Sequence, residues 1–61
     1  MLPKDPNMLL SVVNMKLRDF YPSLAGLCED LGEDEDAIRE TLGSLGYSYD
    51  SSLNRFTGGK K

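Results

Sequence analysis

The first third of the chain carries apolar residues at the spacing of an α-helix. They recur every three or four positions and form one continuous stripe, made up of Leu9, Leu10, Val13, Leu17 and Phe20. Asp5 can accept hydrogen bonds from the first free N–H groups, and Pro6 fits the first helical position. Pro22 disfavours helical geometry at Tyr21. We therefore predict a helix that begins at Asp5–Pro6 and runs to about Phe20 or Tyr21.

Two shorter helices are predicted next, on either side of Gly32. Ser23 caps the second helix, whose apolar residues follow the helical spacing and are Leu24, Leu27, Cys28 and Leu31. Gly32 stands where a left-handed residue commonly ends a helix. Asp34 caps the third helix and Gly46 ends it. Its inward residues are Ile38, Leu42 and Leu45. The tight turn between these two helices gives the outline of a helix-turn-helix.

The apolar period changes from helical to alternating after Gly46. Tyr47–Tyr49 and Arg55–Thr57 both alternate, and the residues between them, which include Asp50 and Asn54, favour turns. We predict a β-hairpin with its aromatic residues facing the helices, and we assign Asp50 and Asn54 to the turn rather than to a ligand site.

These elements place the chain in the mainly α class. Three short helices, with a helix-turn-helix at the second and third, precede a small C-terminal β-hairpin, as in a minimal winged helix. We expect one helical domain over residues 1–57 and a flexible tail over residues 58–61. Such a likeness of fold does not carry function with it.

A second apolar patch lies on the first helix, beside the main stripe. It consists of Met8, Val12 and Met15. Only Ser11, Asn14 and Arg18 make a clearly polar strip on this helix. The patch has two interpretations of similar weight: the hairpin or Leu2 covers it, or it is a docking face for a second copy or another protein.

Small size favours the docking interpretation. A chain of 61 residues buries only about 60% of the surface that its unfolded form exposes, so its stability is marginal. Cys28 is the single cysteine, and there is no histidine, so an internal disulfide is excluded and a metal site is not expected. A dimer would supply burial that the monomer lacks.

The charge pattern argues against the commonest use of a helix-turn-helix. The formal net charge is −3, and the third helix opens with the acidic run 33–36. A helix with this surface meets phosphate repulsion in a DNA groove. Arg39, its one cation, is placed to pair with Glu35. The alternative nucleic-acid surface is a basic face on the first helix and the hairpin, and its candidate contacts are Lys16, Arg18 and Arg55.

Catalytic groups are scarce in this sequence. Without histidine there is no imidazole base and no Ser-His or Cys-His pair. Cys28 lies on an apolar helix face, where a small buried hydrophobe is expected. A calcium loop starting at Asp34 fails at Ile38 and Arg39, where a ligand and a glycine are required. We therefore expect no enzyme, no cofactor and no metal.

The terminal sequence and the lone cysteine bear on location. No signal peptide is visible, and the apolar run from Met8 to Val13 is too short to span a bilayer. A single unpaired cysteine fits a reducing compartment. The expectation is a cytoplasmic protein that does not bind membranes.

Much of the chain also resembles one family of short bacterial proteins. The resemblance is carried by the segments 2–6, 9–14 and 16–19, by 23–24, 30–31 and 46–47, and by Tyr21, Cys28, Tyr49, Asn54 and Phe56. That family is catalogued as a domain of unknown function, so the resemblance implies a small stand-alone bacterial protein and brings no assigned site residues. The sequence thus favours a non-catalytic protein-interaction module that self-associates or docks through its first helix. The alternative is an atypical nucleic-acid binder that uses the first helix and the hairpin.

Overall fold

Three helices and one antiparallel hairpin follow each other in the order that the hydrophobic pattern predicts. The structure, a computed structural model, describes residues 2–58. Its elements are α1 (Pro6–Asp19), α2 (Leu24–Leu31), α3 (Glu35–Gly43), β1 (Tyr47–Asp50) and β2 (Arg55–Gly58). The mainly α fold class, three helices followed by a two-stranded C-terminal hairpin, is confirmed.

Each helix begins at the residue that the sequence designates as its cap. The side chains of Asp5, Ser23 and Asp34 all accept a hydrogen bond from a backbone N–H in the first turn, at 2.9–3.0 Å. Gly32 ends α2 with φ at +69°, the left-handed conformation that glycine adopts without steric cost. Local sequence therefore fixes where these helices begin and where α2 stops.

The end of α3 differs slightly from the prediction. The helix ends at Gly43, three residues before the predicted Gly46. The intervening residues continue as a tighter turn, in which Leu45 N–H donates to Leu42 O and Gly46 N–H donates to Gly43 O. These i→i+3 bonds narrow the last turn and lead the chain into β1.

All helices and the hairpin contribute to one apolar core. Its buried members are Leu2, Leu9, Val13, Leu17, Leu24, Leu27, Cys28, Ile38, Leu42 and Phe56. Half-buried side chains around it are Leu10, Val12, Tyr21, Leu31, Tyr47 and Tyr49. The predicted inward-facing aromatic residues of the hairpin are confirmed, because Phe56 is buried and both β1 tyrosines pack against the core.

Phe20 was predicted on the core stripe of α1, and this prediction is wrong. Its side chain is 67% exposed. Phe20 is the C-cap residue, with φ −126° and ψ −29°, so the helical period does not extend to it. Its ring instead lies beneath the ammonium of Lys16, 5.8 Å from the ring centroid.

The hairpin is one residue longer on each strand than predicted. β1 and β2 pair antiparallel, with Tyr49 opposite Phe56 and Tyr47 opposite Gly58. Gly58, predicted to begin the tail, is therefore the last residue of β2, and that boundary is corrected. The rest of the predicted tail, residues 59–61, lies outside the described residues.

Candidate docking surface on the first helix

The side of α1 that points away from the core is partly apolar. The buried stripe of α1 contains Leu9, Val13 and Leu17. On the other side, the side chains of Met8 and Met15 are 58% and 38% exposed. Val12 stands between them and is half-buried, because it also packs against the core. We call Met8, Val12 and Met15 the outer face of α1.

The predicted covers leave both methionines partly exposed. Leu2 is buried, and it lines a cleft with Leu9 and Ile38 on the core side of α1. The hairpin bonds to α1 at Asn14 and at the C-terminal end of the helix, and its turn lies beside Met15 without enclosing that side chain. Within residues 2–58, then, the outer face of α1 keeps much of its apolar surface in water.

A groove borders this face where α1 meets the hairpin turn. It has a volume of about 730 Å³ and is lined by Ser11, Asn14, Met15, Leu17, Arg18, Leu53, Asn54 and Arg55. We call it the hairpin groove. Met15 from α1 and Leu53 from the turn contribute exposed apolar surface to it, and Leu53 is 56% exposed. Two elements distant in sequence thus extend the apolar outer face into a concave surface.

Two of the three predicted basic contacts meet in this groove. Arg18 and Arg55 both line it, whereas Lys16 does not and lies over Phe20 instead. Arg18 donates two hydrogen bonds to Asp19, each 3.0 Å long. These bonds raise the pKa of Arg18 and lower the pKa of Asp19. Among residues 2–58, no carboxylate pairs with Arg55, so the groove keeps one uncompensated cation.

Asn14 attaches the hairpin to α1. Its amide group donates to Phe56 O at 3.2 Å and accepts from Phe56 N–H at 2.8 Å. This pair of bonds imitates a strand partner and fixes β2 against the helix. Asn14 belongs to the polar strip of α1, and the structure shows that its side chain is half-buried and structural.

Asn54 connects three elements at the base of the groove. It has φ at +53°, as its predicted turn role allows. Its amide nitrogen also donates to Leu17 O at 3.1 Å and to Tyr21 O at 2.9 Å, which are carbonyls at the end of α1. Its amide oxygen accepts from the Tyr49 hydroxyl at 2.6 Å. That hydroxyl in turn accepts from the first N–H of α2, at Leu24 (3.2 Å).

The sequence predicted the turn role of Asn54, but it did not predict this polar network. It satisfies backbone groups that helix ends leave without partners. A single asparagine following a run of turn residues was the available signal, but its partners lie 33 and 37 residues away along the chain. The network makes the base of the groove a fixed structure.

The exposed surface of α3 carries mainly acidic groups, as predicted. Asp36, Arg39, Glu40 and Gly43 are all exposed. The predicted ion pair is confirmed, because Arg39 bonds to Glu35 at 2.8 Å and 3.0 Å. The guanidinium of Arg39 also lies 5.5 Å from the ring centroid of Tyr49. The one cation of this helix is thus already engaged within the molecule.

Cys28 is buried in the core, and its pKa is raised. Burial is the largest cause, because it disfavours the charged thiolate. The carboxylates of Glu35, Glu33 and Asp34 raise the pKa further, while Arg39 lowers it. The apolar interpretation of Cys28 is confirmed by its position.

We expect Cys28 in the folded protein to react with a thiol reagent at pH 8 at least on the order of a hundredfold more slowly than in urea. The rate of 5-thio-2-nitrobenzoate release measures it. Because folding raises the thiol pKa, this group stabilises the fold fully below its unfolded pKa. Its contribution to the free energy of unfolding is lost as the pH rises from the unfolded pKa through the folded pKa of the thiol. Equal rates with and without urea would contradict this placement.

Residues 2–58 contain neither a cluster of metal-binding side chains nor a helix that could cross a membrane. No group of three or more Cys, Asp or Glu side chains there is placed to hold a metal ion. None of the helices in this part of the chain has the length and apolar character needed to cross a membrane.

Comparison with known proteins identifies a family. Searches of curated proteins and of solved structures find no match to the chain. The family model described as "Domain of unknown function (DUF4250)" matches residues 3–56. That span begins before α1 and ends within β2, so it takes in α1, the hairpin groove and most of the hairpin. The chain belongs to the DUF4250 family.

Proposed function

We propose that this protein is a non-catalytic protein-interaction module that docks through the outer face of α1. One observation carries the proposal: α1 buries a stripe of three side chains in the core and still exposes Met8 and Met15 on its opposite side. A surface helix that packs one apolar stripe against the core is normally polar on its opposite face. The remaining apolar surface therefore suits a second contact.

The chemistry of the outer face favours protein as the partner. Methionine is flexible and polarizable, so it adapts to irregular apolar surfaces and is frequent at binding faces. The hairpin groove adds Leu53 beside Met15, with Arg18 and Arg55 around them. An apolar centre with a charged rim is the usual arrangement of a protein interface. A cytoplasmic location would suit such a module and its single buried thiol.

Affinity capture with a matched pair of variants tests the proposal. Met8→Gln/Met15→Gln keeps the side-chain length but removes the apolar surface, and Ala25→Gln alters an exposed position on α2. The immobilised full-length protein is exposed to extract of its source organism, with and without nuclease. We expect the double variant to lose at least about tenfold of the captured partner, which corresponds to about 1.4 kcal/mol.

The control variant and the nuclease make the result decisive. Ala25→Gln should capture as much partner as the wild type, and nuclease treatment should change nothing. Unchanged circular dichroism in all variants shows that the fold is retained. If the double variant captures the same proteins at the same level as the wild type, the outer face of α1 is not the docking surface.

A second candidate function, nucleic-acid binding, has one observation in its favour: Arg18 and Arg55 line the same groove. It is the weaker candidate because Asp19 already bonds Arg18, Lys16 lies elsewhere, and α3 is acidic. It predicts capture that is sensitive to nuclease, weakens steeply with salt and is lost in Arg55→Glu. Capture with those three properties would replace the protein-docking proposal.

A further inference from the structure

The two exposed methionines of α1 are related by a pattern that suits an antiparallel helix pair. Met8 and Met15 lie two turns apart on one side of α1, with Ser11 and Val12 midway between them. A twofold axis through that midpoint brings Met8 of one copy level with Met15 of the other. Both ends of the outer face then gain an apolar partner from a single surface, as an isologous interface requires.

We propose that the partner of the outer face is a second copy of this chain, whose α1 packs antiparallel across the first. This inference rests on the proposed function and names its partner. The outer face of each copy supplies the apolar surface that the other lacks. Ser11, a small exposed side chain at the centre, allows the two helices to approach closely.

Charges at the two ends of α1 favour this direction of packing. In the antiparallel register, Asp5 of one copy comes level with Arg18 of the second copy, and both residues are exposed. Arg18 bonds its own Asp19 through Nε and Nη2, which leaves the Nη1 group to donate to a second carboxylate. The opposed helix dipoles also place unlike partial charges next to each other. A parallel pair would instead bring Asp5 level with Asp5 and Arg18 level with Arg18, which repel. Charge complementarity therefore selects the antiparallel pair.

Disulfide trapping between two variants of the full chain tests both the contact and its direction. Met8→Cys protein is mixed with affinity-tagged Met15→Cys protein under mild oxidation, and the products are separated by mass. Cys28 is buried and stays unreactive in the folded protein. We expect the mixed disulfide to exceed each symmetric disulfide by about tenfold or more, because the docked thiols face each other at high effective concentration.

Two controls accompany the trapping experiment. Ala25→Cys mixed with the same Met15→Cys protein should give only the slow random yield, since Ala25 lies on α2. Sedimentation equilibrium of the unmodified chain should give twice the monomer mass, and Met8→Gln/Met15→Gln should give the monomer mass. Symmetric disulfides in equal or greater amount than the mixed product would overturn the antiparallel pairing.

The outcome also separates this inference from the proposed function. If the wild-type chain stays monomeric while Met8→Gln/Met15→Gln loses capture of a different protein, self-pairing is wrong and docking through α1 stands. If the chain is monomeric and the variant loses no partner, both are wrong.

Discussion

Replacing Asn54 with alanine is expected to destabilise the folded protein by roughly 2–4 kcal/mol. The substitution removes the amide that bonds the end of α1 at Leu17 O and Tyr21 O, and leaves the Tyr49 hydroxyl without its acceptor. It also places an alanine at φ +53°, a conformation that asparagine tolerates better. Urea unfolding followed by circular dichroism measures the loss.

Two neighbouring substitutions separate the causes of this effect. Asn54→Gly keeps the left-handed backbone without strain but loses the hydrogen bonds, so it should recover only the smaller, conformational part of the loss. Asp50→Ala removes bonds that serve only the turn, to the N–H groups of Ser52 and Leu53. We expect it to cost about 1 kcal/mol or less. If Asn54→Ala unfolds at the same urea concentration as the wild type, the polar network does not stabilise the fold.

Leu24→Ala is expected to remove about half of the stability of the domain or more. Leu24 is fully buried, and truncating such a leucine costs about 2–5 kcal/mol through lost burial and the cavity left behind. A domain of this size has a total stability of only about 3–9 kcal/mol at the usual value per residue. Urea unfolding followed by circular dichroism should therefore show a midpoint about half that of the wild type or lower.

Leu53→Ala is the matched control for this substitution. It makes the same chemical change at a side chain that is 56% exposed on the hairpin turn. Away from the core, the expected change in the free energy of unfolding is within about 0.5 kcal/mol. Equal stability losses in the two variants would contradict the division between the core and the hairpin groove.

The features that sequence predicts well are those set by neighbouring residues. The caps at Asp5, Ser23 and Asp34 and the left-handed Gly32 depend on local hydrogen bonds and backbone preferences. Most of the buried stripe positions follow from the helical period; the exceptions are Phe20 and Leu45, which lie beyond the ends of α1 and α3 and are not in the core. For the same reason, the acidic start of α3 is explained by capping and by the helix dipole.

Features that depend on distant contacts could not be predicted in this way. Asn14 looks like a solvent-facing residue until β2 is placed beside it, and Asn54 looks like a turn residue until the end of α1 is placed above it. Phe20 left the core because the helix stopped one residue before it. Each outcome required the position of a second element, which periodicity does not supply.

The candidate surface also has one part that the sequence predicts and another part that depends on distant contacts. The helical spacing of Met8, Val12 and Met15 marked the outer face, and the exposure of the two methionines keeps it available. The hairpin groove was not predictable, because Leu53 and Met15 line one groove only through the tertiary position of the turn. Lys16, Arg18 and Arg55 were grouped by charge, and the fold brings only the two arginines together.

Methionine-methyl NMR tests the central claim, that the outer face of α1 is the docking surface, most directly. The chain has three methionines, so a sample labelled with methyl-¹³C methionine gives a spectrum that single substitutions assign. The full chain is measured over a concentration series and then with any protein that it captures. We predict that the Met8 and Met15 methyl signals shift together and saturate as binding proceeds. Binding with both signals unchanged would contradict the account.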